Sequence, residues 1–145
     1  MKVQQLSIFL ENKSGRLAEV ANILKAAGIN IRAATLADTS DFGVVRLIVD
    51  NVDNAISALK DNEITAVKTE ILVVETTDHP GGLAHVLNTI DEKALNVEYL
   101  YSLGTRGEKA YIALRFDKPD LAIDTLKSAG IKIVDREELE RENLA

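Results

Sequence analysis

The 145-residue chain contains no cysteine, which excludes disulfides and thiolate metal ligands. Only two histidines are present, His79 and His85, six positions apart with Pro80 and two glycines between them. That spacing suits a zinc pair poorly, and a loop residue and an exposed helix residue account for the two. No segment approaches the ~20 consecutive apolar residues that span a bilayer. Met1-Lys2 leads straight into a patterned strand with no apolar signal region, so the expected compartment is the cytoplasm, away from membranes. No run of Lys or Arg interrupts a chain of formal net charge −6 and pI near 4.9. Such a surface repels phosphate backbones, and nucleic acid is not expected as a partner. Catalytic signatures are missing as well: there is no G-x-S-x-G, H-E-x-x-H, Walker A or G-x-G-x-x-G pattern, and no Ser/His/Asp grouping. Neither a catalytic set nor a cofactor or metal is expected.

What is present is a stretch written twice. Asn12-Lys13-Ser14-Gly15-Arg16-Leu17-Ala18 runs on to Ile29-Asn30-Ile31, and Asp78-His79-Pro80-Gly81-Gly82-Leu83-Ala84 runs on to Leu95-Asn96-Val97. Gly15 to Asn30 and Gly81 to Asn96 are each fifteen apart, and Leu17/Leu83, Ala18/Ala84, Val20/Val86 and Asn22/Asn88 match at an offset of 66. The second half of each copy matches at an offset of 67 (Asp50/Asp117, Ala55/Ala122, Leu59/Leu126, Ile64/Ile131), which asks for one extra residue in the turn at 104–107. Hydrophobic residues at 46% and charged residues at 28% make a sizeable globular core affordable. The repeat divides it into two units, 1–70 and 71–145, the latter ending in a short charged tail expected to be a solvated helical end.

Each unit changes its apolar period along the chain. Leu6, Ile8 and Leu10 alternate as in a half-buried strand, whereas Leu17, Val20, Ala21, Leu24 and Ala27 follow helical spacing until Gly28 offers a left-handed stop. Residues 29–36 return to an extended pattern. Turn chemistry over 38–41 with Gly43 then precedes the β-branched run 44–49. Asp50 or Asn51 can cap a second helix whose inner face is Ala55, Ile56 and Leu59, and 64–70 reads extended. The order βαββαβ then repeats, with Pro119 fitting the first turn of its second helix. The fold class is α+β, with antiparallel sheets and helices on one face. Phe9, Val44, Ile48, Ile71, Val73 and Tyr111 alternate with the helix-facing residues. They are therefore expected to form an apolar outer face that contacts the other repeat or another chain, with self-association, at least a homodimer, as the economical reading.

The paired segments Asn12-x-x-Gly15-x-Leu17 with Ile29-Asn30-Ile31, and Asp78-x-Pro80-Gly81-x-Leu83 with Leu95-Asn96-Val97, resemble the ACT domain signature. In that signature a D/N-x-P-G-x-L loop opens the first helix and an I/L-N-I/V segment opens the second strand. The likeness covers essentially the whole chain as two ferredoxin-like βαββαβ units in tandem, with Ser14 standing where the family often has Pro. ACT domains are small amino-acid-binding modules that regulate metabolic enzymes or transcription factors. The resemblance thus implies a noncatalytic protein that senses a free amino acid at the interface of paired ACT domains. One alternative is a regulatory subunit of an amino-acid biosynthetic enzyme. Another, from the fold alone, is an acylphosphatase-like hydrolase using Arg16, Arg106 and Asn30.

An amino-acid site needs N–H donors beside oxygen acceptors, and an open helix N-terminus behind a glycine loop supplies the donors. The ligand-binding residues expected are Asn12, Gly15, Arg16, Leu17 and Asn30 in the first copy, and Asp78, His79, Pro80, Gly81, Gly82, Leu83 and Asn96 in the second. Asp78 is the one charged acceptor among them for an ammonium group. The resemblance, in which the ligand commonly sits near the loop of one ACT unit and the second strand of another, implies that Ala33, Thr35, Tyr99 and Tyr101 choose the side chain. Asn12 and Asp78 have an alternative role as helix caps, and Asn30 and Asn96 as partners of turn backbone.

Overall fold

The computed structural model describes residues 1–38 and 40–145. The elements follow in the order β1 (Val3–Glu11), α1 (Arg16–Ala26), β2 (Ile31–Asp38), β3 (Phe42–Val49), α2 (Val52–Asp61), β4 (Ala66–Thr77), α3 (Gly82–Asp91), β5 (Val97–Arg106), β6 (Lys109–Phe116), α4 (Pro119–Ser128), β7 (Lys132–Val134) and α5 (Arg136–Arg141). The expected βαββαβ pattern is therefore written twice. β4 is long enough to close the first copy with its first half and open the second with its last. The chain divides into two compact units inside that strand: Gln4–Thr69 with Ala145, and Glu70–Leu144 with Met1–Val3. No helix is long and apolar enough to cross a membrane among the described residues.

In the first unit the strands lie in the order β2-β3-β1-β4, with Leu6 opposite Leu47 and Ile8 opposite Val45 in the antiparallel β1/β3 pair. Alternation turns those residues toward the helices. There they join Val20 and Leu24 of α1 and Ala55 and Leu59 of α2 in one buried cluster. The second unit repeats this as β5-β6-β4-β7, with Leu72 opposite Leu114 and Val74 opposite both Ile112 and Ile133. Val86, Ile90, Ala122 and Leu126 close its core. Within the units β2 pairs with β3 and β5 with β6. The ladder between β5 and β6 is irregular between Ser102 and Gly104, where Gly104 takes φ 126°, so the spare residue expected in the neighbouring turn falls beside a β-bulge. In the first unit's turn over 38–41, Thr39 lies outside the described residues.

Helix ends follow local chemistry. Asn51 caps α2 by accepting the Asn54 N–H at 3.1 Å, and Pro119 opens α4. α1 and α3 have neither device. Their N-cap residues, Gly15 (φ 87°) and Gly81 (φ 94°), are left-handed and carry no side-chain cap, so Asn12 and Asp78 do not cap these helices.

Two expectations are corrected. The tail is not a solvated end: Asp135 caps α5 by accepting the Glu138 N–H at 2.9 Å, and Leu139, Leu144 and Ala145 are buried. The segment lies on the second sheet's face opposite α3 and α4. Lys132, Glu75 and Tyr111 point to that face by alternation, and Lys132 reaches Glu138 of α5. Leu144 lies within 3.6 Å of the place a Cβ on Gly104 would take, and Arg106 Nε donates to the Glu142 carbonyl at 3.1 Å. The apolar outer face is likewise not free throughout. Ile48, Ile71, Val73 and Tyr111 are at most 2% exposed, while Phe9 is 64% exposed. In the second unit a cover such as α5 is what an apolar face of a single sheet requires. Ile71, Val73 and Tyr111 there are core, and Ile48 of the first unit is likewise buried.

Candidate functional site

In both units the loop entering the first helix is tied to the neighbouring hairpin. The Asn12 N–H donates to the Asp41 carbonyl at 2.9 Å, and the Asp78 N–H donates to the Glu108 carbonyl at 2.8 Å. The first helical bonds run from the Glu19 N–H to the Gly15 carbonyl and from the His85 N–H to the Gly81 carbonyl, each at 2.9 Å. Arg16 N–H donates back to Lys13 and Gly82 N–H to His79, at 3.4 and 3.0 Å. The N–H groups of Leu17 and Ala18, and of Leu83 and Ala84, therefore precede the helical ladder and face outward as donors. This is the anion-receiving geometry expected of the loops.

Around these turns the side chains part company. In the first unit Asn12 Nδ2 donates to the Ser40 carbonyl at 3.4 Å. Arg16 is spent on carboxylates: its guanidinium donates to Glu19 at 2.9 Å and reaches Glu11 at 3.5 Å, while Lys13 reaches Glu11 at 2.7 Å. The Lys13 ammonium, with Arg16 behind it, holds the Glu11 carboxyl below the usual carboxylate range, and Glu19 first and Glu11 next raise that of Arg16 further. In the second unit Gly82 takes the place of Arg16. A Cβ there would meet the Thr77 carbonyl oxygen at 2.2 Å, so only glycine lets α3 start so close to the end of β4. Thr76 Oγ1 donates to the Gly82 carbonyl at 3.0 Å. His79 lies 4.0 Å from Glu108, and both side chains are more than half exposed. The Asp78 carboxylate is exposed and has no hydrogen-bond or ion partner among the described residues.

Equivalent hollows flank the two loops. The second unit's is about 710 Å³ and is bordered by Glu75, Thr76, Pro80, Gly81, Gly82, His85, Lys109 and Lys132. The first unit's is about 480 Å³, bordered at matching positions by Phe9, Leu10, Arg16, Glu19, Phe42 and Thr65. Glu75, with its side chain only 14% exposed, bridges Lys109 at 3.3 Å and Lys132 at 3.4 Å. Lys132 is also held by Glu138, whose hydrogen bond is the main cause of its raised pKa. A further hollow of about 730 Å³ runs between α1 and α2. It presents the carboxylates of Glu19 and Asp61 but no cation, so a ligand carboxylate has no charged partner there.

The structure brings Pro80, Gly81 and Gly82 together around one hollow, with Asp78, His79 and Leu83 in the same loop and turn. It does not bring the asparagines to them. Asn30 and Asn96 follow the far ends of α1 and α3, helices about 15 Å long, so each lies at the other end of its own unit from the loop. There each forms a reciprocal pair, Asn30 N–H to Asp50 Oδ1 at 3.1 Å and Asp50 N–H to the Asn30 carbonyl at 3.2 Å, matched by Asn96 and Asp117 at 3.2 and 3.3 Å. Ala33, Thr35, Tyr99 and Tyr101 lie on β2 and β5 and border neither loop hollow. Arg106 donates to the carbonyls of Glu142 and Thr105, and Arg16 to Glu11 and Glu19, so neither guanidinium is arrayed for a phosphoryl or acyl-phosphate group. Among the described residues no three His, Asp or Glu side chains converge as a metal would need. Glu75, Lys109 and Lys132 escaped the sequence reading. Their signal is in the repeat, where charge replaces Phe9, Phe42 and Thr65 of an otherwise matching pattern.

Comparison with known proteins agrees with this architecture. The family profile of the ACT domain pair matches residues 1–142. A protein of Bacteroides thetaiotaomicron is 37% identical, with TM-score 0.89 over 96% of each chain. The regulatory subunit of aspartate kinase from Thermus thermophilus, 16% identical, superposes with TM-score 0.63 over 87% of this chain and 91% of its own. That from Thermus flavus, 17% identical, does so with TM-score 0.62 over 86% and 88%. At that identity the two subunits share the fold. Among curated protein sequences none matches.

Proposed function

This chain belongs to the ACT domain pair family, and on that premise we propose that it is a noncatalytic cytoplasmic regulator that binds a free L-amino acid at the Asp78–Leu83 loop. The observation that carries the reading is the open hollow of about 710 Å³ against that loop. Gly81 and Gly82 line it, the N–H groups of Leu83 and Ala84 in the next positions of the helix start are the donors for a carboxylate, and the unpaired Asp78 carboxylate of the same loop suits the ammonium. Asn12, Gly15 and Asn30 of the first copy, and Asn96 of the second, join such a site only if a second unit supplies the missing half, since each asparagine after the helix is remote from its own loop. That is one reason to propose a homodimer.

A ligand that binds only the folded state stabilises it by RT ln(1 + [L]/Kd), about 2.7 kcal/mol at a hundredfold excess over Kd. Melting followed with each amino acid at millimolar concentration should therefore rise for at least one of them. Asp78→Ala should remove that rise while leaving the ligand-free melting point in place, because its carboxylate caps no helix. If no amino acid shifts the transition, the sensor reading fails. A second reading, a regulatory subunit docked on a biosynthetic enzyme, is favoured by a different observation. Phe9 and Phe42, 64% and 58% exposed, lie with Val67 on the first unit's outer sheet face. Copurification of an enzyme, lost on Phe9→Lys, would support it, and a dimer split by the same change would assign the face to self-association instead.

A further inference from the structure

We infer that the chain carries a single amino-acid site, in the second unit, and that Lys109 and Lys132 there select a ligand whose side chain bears a hydroxyl, carboxamide or carboxylate. This rests on the sensor reading above and goes beyond it by naming the ligand class and the stoichiometry.

Where the first hollow has Phe9 and Phe42, the second has Glu75 and Lys109, and where the first has Thr65, the second has Lys132. Where the first has Arg16, bound to Glu11 and Glu19, the second has Gly82 and open space. The first loop thus keeps its outward N–H donors beside a guanidinium already neutralised by two carboxylates and two exposed phenyl rings. A zwitterion arriving there meets a guanidinium held between two carboxylates, which repel its own carboxylate, and must lie against apolar rings. The volume fits the same contrast, about 480 Å³ against about 710 Å³.

In the second hollow an ammonium group offers three N–H donors. Lys109 gives one to Glu75, and Lys132 is shared between Glu75 and Glu138. Donors remain on both, aimed from a pair whose positions are fixed by one half-buried carboxylate. The surrounding wall is mixed: Thr76, Thr77 and His85 bring polar groups to it beside apolar surface from Pro80, Val86 and Ile131. An aliphatic side chain entering this space would cover ammonium groups without pairing them, which costs free energy. An oxygen acceptor would pair with them.

The test uses the full chain. Isothermal titration is run with serine, threonine, asparagine and aspartate, and separately with valine, leucine and isoleucine. The expected result is binding of one or more of the first group at one ligand per chain, with the second group silent. Lys109→Met and Lys132→Met should each weaken that binding by about tenfold, the loss of one charge-assisted hydrogen bond. Lys109→Met is the cleaner variant, since Lys132 also anchors Glu138, and ligand-free melting checks that both fold. Two ligands per chain, preference for the aliphatic group, or unchanged affinity in both lysine variants would each overturn the inference while leaving an amino-acid sensor standing. No binding by any of the seven and none by the remaining amino acids would overturn both.

Discussion

The two hollows sit at equivalent places in two copies of one fold, and they differ most where their backbones agree best. Gly15 and Gly81 share the same left-handed conformation and the same i→i−4 start to the helix that follows. Only one residue later the copies diverge, Arg16 bordering its hollow with ion pairs and Gly82 leaving the other wider. The lesson is that the glycine loop is a backbone device that both copies need in order to fold. Whether it is also a binding device depends on the side chains around it. A shared motif is therefore weaker evidence for two sites than it first suggests.

The sharpest way to break the comparison is at the divergent position. Gly82→Ala puts a Cβ 2.2 Å from the Thr77 carbonyl oxygen, and backbone cannot swing aside as a flexible side chain can. The expected cost is about 3 kcal/mol in urea unfolding, with loss of any ligand-induced stabilisation. Arg16→Ala in the other copy faces no such clash and loses only half-exposed ion pairs. It should move stability by less than about 1 kcal/mol.

The second difference between the units is α5, which has no counterpart after β4 in the first copy. Leu139 is fully buried on that helix. Leu139→Ala should cost about 2 kcal/mol, the lower end for a buried leucine because a six-residue terminal helix can undock before the rest unfolds. Hydrogen exchange should show the loss in β7 and at Tyr111 rather than in the first unit. Exchange that quickens in both units alike would contradict a cover confined to the second sheet.

A third experiment separates the two roles of the glycine loop. Nothing lies within 4 Å of a Cβ built on Gly15 or on Gly81, so a side chain there obstructs no atom of the protein; the penalty is in the backbone, at φ 87° and φ 94°. Gly15→Ala and Gly81→Ala should therefore destabilise to the same degree, roughly 1–2 kcal/mol each. Only Gly81→Ala should shrink the ligand-dependent increment in melting. Equal loss of that increment in both variants would argue for two working loops.

What could be read from sequence was whatever repeats. The strand and helix order followed from the change of apolar period at Leu17 and its echo at Leu83. The resemblance to the ACT signature rested on the same doubled loop, and the family profile matches residues 1–142. The tail was illegible because Leu139 and Leu144 stand five apart among charges, too short a run to show a helical period, and burial there depends on a sheet face formed far away in the chain. Lys109 and Lys132 were overlooked for a related reason. A lone lysine at a strand end reads as solubilising surface, and only the fold shows the two meeting at Glu75. Asn30 and Asn96 were joined to the loops by motif, though a helix about 15 Å long stands between.

The smallest expected effect tests whether the copies are interchangeable at their helix exits. α1 ends through Gly28 at φ 71°, with the Ile29 N–H reaching back to the Leu24 carbonyl at 2.9 Å, whereas the matching exit of α3 uses Ala94 at φ 52°, and the Leu95 N–H to Ile90 bond is longer at 3.4 Å. The second helix exits invert the choice, with Glu63 at φ 62° in the first copy and Gly130 at φ 74° in the second, both closing to the helix at 2.9 Å. Each copy thus carries one non-glycine residue in a conformation that disfavours a Cβ, at a site where its sibling has glycine. Glycine relieves that strain but gives the unfolded chain more freedom, and the two terms partly cancel. Glu63→Gly and Ala94→Gly should each stabilise by about 0.5 kcal/mol and add when combined, since they lie in separate units. Gly28→Ala and Gly130→Glu should give the opposite sign. A loss of stability in Glu63→Gly would mean that its side chain contributes more to the first hollow's rim than its backbone strain costs.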